Sequence, residues 1–205
     1  MNQFRFIPHP SFMRFAFVIY ERMTALDFVG AFDPLTRLRT MGFMPEVGWD
    51  VCAVSEEVRD GAGLVFRATK VGESLEAYDL LVLPGGYGSR ELSGDEKFIG
   101  WLRTAEACPL KASVCTGSIL LGAAGFLRGL RATTHPKSLA ELEKYCAAVS
   151  EERIVDEGAV VTAGGVTASI DLGLHLCERL AGREVREKIR EQMDYRPGAG
   201  GGGDA

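Results

Sequence analysis

Six consecutive apolar residues, Phe15-Ala16-Phe17-Val18-Ile19-Tyr20, form the first strong pattern in the chain. A run with no polar face suits a strand buried on both sides of a parallel sheet, so a strand near the sheet centre is predicted there. Thr24-Ala25-Leu26-Asp27 has the Ser/Thr-x-x-acid form of a capping box. It predicts a helix to about Met41 on an apolar repeat of Leu26, Val29, Leu35 and Leu38, with Pro34 as its kink point. A second strand is expected at 50–55, then a hairpin through 61–63 that pairs Val58-Arg59 with Val65-Phe66. The apolar block at 79–83 predicts another buried strand, followed by a helix at 95–107, a strand at 112–114 and a helix from Thr116 to about Ala124. Further strands are expected at 131–133, 153–156 and 160–162, with helices at 138–146 and 167–181. The alternation predicts an α/β fold, a doubly wound sandwich around a mostly parallel sheet, with its site at the carboxyl ends of the strands.

Composition narrows this picture. The 205 residues, 46% hydrophobic and 25% charged, suit one globular domain, placed at 14–195. Residues 1–13 read as an N-terminal extension. Pro8, His9 and Pro10 interrupt Phe4, Phe6, Ile7 and Phe12, so neither a signal-peptide core nor a membrane span is expected. The glycine-rich tail at 196–205 has almost nothing apolar to bury and is expected to be disordered. A net charge of -5 argues against an extended phosphate-binding surface, so nucleic acid is not an expected partner. Five cysteines, at 52, 108, 115, 146 and 177, are an odd number without a Cys-x-x-Cys pair. That pattern points to a reduced, cytoplasmic setting. No His or Cys spacing suggests a metal, and no cofactor is expected.

The chemistry concentrates at Ser113-Val114-Cys115-Thr116-Gly117. This is the cysteine form of a nucleophile elbow, in which a strand turns sharply into a helix and small neighbours relieve the crowding. A thiol at a helix N-terminus is expected to favour the thiolate. Asp27 should lie near Cys115 and act as general acid and base, although a capping box would also explain an acidic residue there. Gly85 and Gly86 are expected to present bare backbone amides that stabilise negative charge alongside the amide of Thr116, although a tight turn would equally explain the pair. Of the three histidines, His9 lies in the extension, His175 within a late helix, and His135 near the cleft rim in a structural role.

Taken together, Ala25-Leu26-Asp27-Phe28-Val29-Gly30, Leu83-Pro84-Gly85-Gly86, Val114-Cys115-Thr116-Gly117-Ser118, Arg131-Ala132-Thr133-Thr134-His135 and the segment from Thr162 to Asp171 resemble the ThiJ/PfpI superfamily. More narrowly they resemble its isocyanide hydratase branch, over about residues 14 to 195, with Gln192-Met193-Asp194-Tyr195 near the end. The resemblance implies a flavodoxin-like homodimer with the nucleophile near the dimer interface, paired with an acid from the loop after the first strand. Cys115 and Asp27 match those positions, and Thr116 stands where peptidase-like members carry a histidine. The implied reaction hydrates a small-molecule isocyanide to an N-substituted formamide through a thioimidate on Cys115, with Thr116 and Gly86 orienting the substrate. Competing expectations are a ligand-binding or cysteine-based redox sensor, and an amidase or glyoxalase acting on another small electrophile. The branch also resembles the sensing domains of AraC-type regulators, disfavoured because the chain after the last predicted helix is too short for a helix-turn-helix pair.

Overall fold

The computed structural model describes residues 12–196. In chain order its elements are β1 (Arg14–Val18), α1 (Ala25–Thr40), β2 (Gly48–Ala53), β3 (Glu57–Arg59), β4 (Val65–Arg67), β5 (Lys70–Val71) and β6 (Leu80–Leu83). There follow α2 (Gly88–Leu92), α3 (Glu96–Arg103), β7 (Leu110–Val114), α4 (Gly117–Ala123), β8 (Arg131–Ala132) and α5 (Leu139–Leu142). The chain closes with β9 (Ala148–Val149), β10 (Ile154–Asp156), β11 (Val160–Ala163), α6 (Ala168–Ala181) and α7 (Arg183–Gln192).

Seven strands form one sheet in the order β10-β11-β7-β6-β1-β2-β5, parallel throughout except for the β10–β11 pair. The fold is therefore α/β, with a mostly parallel central sheet of flavodoxin-like winding. The chain runs from β1 outward to β2 and β5, then returns to the other side of β1 with β6 and β7. That reversal makes a topological switch point between β1 and β6, where the loops after β1, β6 and β7 are brought together. The central strands β6 and β7 are buried along their whole length, and β1 is buried after Arg14, as their unbroken apolar runs require. The hairpin of β3 and β4 pairs Val58 with Phe66 and Arg59 with Val65, the expected register.

Several sequence expectations need correction. The N-terminal extension and the tail lie almost wholly outside the described residues, but Met13, counted with the extension, is buried and its carbonyl accepts from the Gly48 amide. In α1, Leu35 and Leu38 are buried as expected, whereas Leu26 and Val29 are 43% and 45% exposed. The inward face instead carries Asp27, Phe28, Gly30, Ala31 and Pro34. Pro34 is absorbed within the continuous α1, packed against Gly173 of α6. The helix expected at 138–146 is a single turn, α5, between two 3-10 segments. Unanticipated are α2, which is five residues long, and α7, whose charged sequence hides its one buried residue, Ile189.

Candidate active site

Cys115 follows directly on β7 and has φ +55, the left-handed region that L-residues with a Cβ rarely adopt. Such a conformation costs on the order of 1–3 kcal/mol and persists only where surrounding bonds impose it. Here four do. The Cys115 amide donates to the carbonyls of Ala163 (2.9 Å) and Gly164 (3.0 Å), and its carbonyl accepts from the hydroxyls of Thr134 (2.9 Å) and Ser118 (3.0 Å). Gly117 completes the elbow, because a Cβ there would come within 2.6 Å of the Leu83 carbonyl oxygen and 2.7 Å of that of Pro84.

Asp27 lies in the first turn of α1 and is fully buried. The capping box does not form: Thr24 makes no side-chain cap bond, and its amide donates instead to the Gly85 carbonyl (2.8 Å). The Asp27 carboxylate turns inward and accepts from the Gly85 amide at 2.9 Å through Oδ2, while Oδ1 is buried with no hydrogen-bond partner among the described residues. Gly85 shows how tightly the site converges. A Cβ on it would lie 2.5 Å from the Thr116 amide nitrogen, 2.7 Å from Cys115 Cβ and 2.9 Å from Asp27 Oδ2, so these three residues surround a single point. That crowding, and not a turn with positive φ, is why residue 85 is glycine. Gly86 does have positive φ, at +136, and a Cβ there would strike the Met23 backbone.

The two glycine amides are not free to face a substrate as expected. Gly85 spends its N–H on Asp27, and Gly86 donates to Thr116 Oγ1 at 3.0 Å. The Thr116 hydroxyl also lies 2.8 Å from Ser89 Oγ and 3.1 Å from the Gly86 carbonyl, which Ser89 Oγ approaches at 2.7 Å. These two buried hydroxyls form a closed ring with Gly86. Their role in this state is to hold the loop after β6 against the start of α4. Ser89 was not legible in the sequence because it sits in the short α2.

Desolvation dominates the electrostatics. Burial raises the Asp27 carboxyl from an ordinary value near 3.8 to about 7, although the Gly85 amide and the Cys115 thiol act in the other direction. Burial also pushes the Cys115 thiol up to about 12, with the Asp27 charge adding to the rise and the Thr116 amide and hydroxyl opposing it. Burial thus opposes charge on both groups, whereas the position of the thiol before a helix and beside the Thr116 amide works the other way. Cys115 is only 6% exposed. His135 makes no bond to it: its Nδ1 accepts from the Lys137 amide (3.2 Å), and its ring packs on Gly165. His175 of α6 pairs instead with Asp156 of β10 at 2.7 Å. Among the described residues no group of three or more metal-ligating side chains occurs, and no helix is long and apolar enough to cross a membrane.

A cysteine in a strained elbow with a buried acid at its side, set at the switch point of a doubly wound sheet, defines a thiol–carboxyl dyad. The DJ-1/PfpI family model matches residues 13–179, and the chain belongs to that family. An isonitrile hydratase from Pseudomonas putida is 33% identical over 189 residues, spanning 90% of this chain and 79% of the relative. The HTH-type transcriptional regulator CdhR of Pseudomonas aeruginosa is 29% identical over 183 residues, 87% of this chain and 54% of the regulator. Among solved structures, a ThiJ/PfpI family protein from Pseudomonas syringae superimposes with a TM-score of 0.82 at 28% identity, covering 95% of this chain and 79% of that one.

Proposed function

We propose that the protein is a cysteine-dependent isocyanide hydratase, with Cys115 as nucleophile and Asp27 as general acid and base. The observation that carries this reading is the Asp27 carboxyl: fully buried, raised to about 7, with one unpartnered oxygen and converging on Cys115. A group titrating at neutrality can both accept and donate a proton during one turnover. The similarity to the isonitrile hydratase supports the substrate class.

In the first half-reaction Asp27 takes the Sγ proton, the sulfur attacks the terminal isocyanide carbon, and Asp27 delivers the proton to that carbon. The product is a thioimidate, R–N=CH–S–Cys115. In the second half Asp27 removes a proton from water, the hydroxide adds to the same carbon, and the proton passes to nitrogen. The C–S bond then breaks as the carbonyl forms, and the hydroxyl proton returns to sulfur, releasing R–NH–CHO. No redox partner is required. Thr116, held by Gly86 and Ser89, keeps its amide against the sulfur, while Gly85 holds Asp27 in reach.

Exposed Leu26 and Val29 on α1 lie on the helix that carries Asp27, and the hairpin packs on that helix through the Phe28–Phe66 ring pair at 5.6 Å, with Leu64 and Val65 also exposed. This apolar face supports the homodimer reading, with a second copy as its occupant. Light scattering tests it: twice the mass of one chain is expected at micromolar concentration. The activity test is incubation with an aromatic isocyanide, following the formamide by mass spectrometry, with Cys115→Ala in parallel. Formamide from the native protein alone is expected. Tight binding of ligand without turnover would instead favour the sensor reading that the similarity to CdhR supports.

A further inference from the structure

Both members of the dyad lean on one short stretch of chain, from the end of β11 into the first turn of α6. On one side the Cys115 amide is anchored on the carbonyls of Ala163 and Gly164. On the other, Ser169 in the first turn of α6 is fully buried and donates from Oγ to the Leu26 carbonyl at 3.1 Å. Leu26 is the residue immediately before Asp27, so this bond holds the turn of α1 that aims the carboxylate.

The packing around it is unusually close. Gly30 stands one turn along α1, and a Cβ there would fall on Ser169 Oγ and lie 2.8 Å from Ser169 Cβ. A second close approach follows at Gly173, where a Cβ would strike Pro34 and come within 3.0 Å of the Ala31 carbonyl oxygen. With glycine on α1 at one crossing and on α6 at the next, the helices interlock without room to slide. Ordinary helix contact would need neither glycine, and the Ser169 hydroxyl supplies a polar link at the first crossing.

Resting on the reading of Asp27 and Cys115 as a dyad, we infer that Ser169 is a positioning residue that sets where the Asp27 carboxyl sits relative to the Cys115 thiol. Losing its hydroxyl frees the first turn of α1, lets water reach Asp27 and moves the carboxyl back toward the ordinary range. Among the described residues, the other ionisable groups coupled to the pair are Tyr20, two residues past β1, and Arg90 of α2, and the substitution touches neither.

The test reads the pH dependence of Cys115 alkylation by iodoacetamide, in which ionised Asp27 takes the Sγ proton as sulfur displaces iodide, so that the rate rises through the Asp27 midpoint; peptide mass spectrometry keeps the other cysteines from contributing. Native protein and the variants Ser169→Ala, Thr36→Ala and Asp27→Asn are compared. Thr36→Ala removes a buried hydroxyl from the same helix, one bonded to the Asp33 carbonyl two turns from Asp27. A downward shift of the midpoint by at least half a pH unit in Ser169→Ala, with Thr36→Ala unmoved, is the expected result. Gly30→Ala/Ser169→Gly moves the lost Cβ to the opposite helix and keeps the contact without the hydroxyl. It should reproduce the shift even if Ser169→Ala folds poorly. An unchanged profile in both Ser169 variants, while Asp27→Asn abolishes the midpoint near neutrality, would overturn the positioning role and leave the dyad intact. If Asp27→Asn also leaves the profile unchanged, the dyad reading itself fails.

Discussion

Asp27 and Asp156 are two aspartates placed beside groups capable of chemistry, and the protein treats them in opposite ways. Asp156, in β10, is partly buried but fully matched: it accepts from His175 Nε2 (2.7 Å), Arg179 Nη1 (3.0 Å) and the Gly158 amide (2.9 Å). Burial works to raise its carboxyl, yet these bonds and charges outweigh it and hold the group below the usual range. Among the described residues Asp27 has a single amide donor and no cation on it, and burial therefore wins. The pairing around a buried acid, more than its neighbours' identities, decides whether it braces the fold or carries a proton. A histidine beside an aspartate looks more like catalysis than a cysteine does, but in this protein the histidine pair ties α6 to the sheet edge.

Replacing the two acids breaks the comparison most directly. Asp27→Asn is expected to lower turnover of an isocyanide by about a thousandfold or more, equivalent to roughly 4 kcal/mol of transition-state stabilisation. The same variant should be more stable than the native protein at high pH. The native state holds the Asp27 proton up to about 7, whereas the unfolded chain releases it near 3.8. Native stability from this group is therefore complete below the unfolded value and is lost as pH rises through about 7. At about 1.4 kcal/mol per unit the effect has a ceiling of roughly 4 kcal/mol. Denaturant unfolding at pH 4 and pH 8 reads it, and a native protein no less stable at pH 8 relative to Asp27→Asn would refute the burial argument.

Gly85→Ala comes next. A methyl group inserted between Thr116, Cys115 and Asp27 meets backbone on one side and both reactive residues on the others, so a loss of about 2–3 kcal/mol in stability is expected. A fall in turnover of at least a hundredfold should accompany it, checked by formamide release at matched folded fraction.

Asp156→Asn should show the reverse balance. It leaves His175 and Arg179 without their acid, and a cost of about 1–3 kcal/mol is expected at neutral pH with turnover within a few-fold of native. Because the Asp156 carboxyl is held low, its contribution is present above the unfolded value and is lost as pH falls through the folded one. The native protein and Asp156→Asn should converge in stability under acid.

The smallest effect separates a true cap from an apparent one. Thr24→Ala should cost less than about 0.5 kcal/mol, since the hydroxyl caps nothing. Asp95→Ala should cost about 1 kcal/mol, because Asp95 accepts from the amides of Lys97 and Phe98 at the start of α3. Equal losses in the two would mean that the capping box forms in solution.

The pattern of apolar residues located β1, β6, β7, the hairpin and α6 closely, because strands buried on both faces and a helix with one apolar stripe leave clear periodic traces. It assigned the wrong residues to α1's inner face, since Leu26, Phe28 and Val29 are all apolar and periodicity alone cannot say which side of the first turns meets the sheet. The missed α2 and α7 carry too few buried apolar positions to register.

From sequence alone, the elbow at Cys115 and the family follow, because each rests on short-range constraints: a sharp turn demands small residues, and a motif keeps its order along the chain. Only the tertiary structure decided the burial of Asp27 beside Cys115, the internal use of the Gly85 and Gly86 amides, and the bond from Ser169 to the Leu26 carbonyl. Those depend on desolvation and on partners that lie 58, 30 and 143 positions apart along the chain. No local pattern encodes such pairings, since burial and hydrogen-bond satisfaction are properties of the packed molecule.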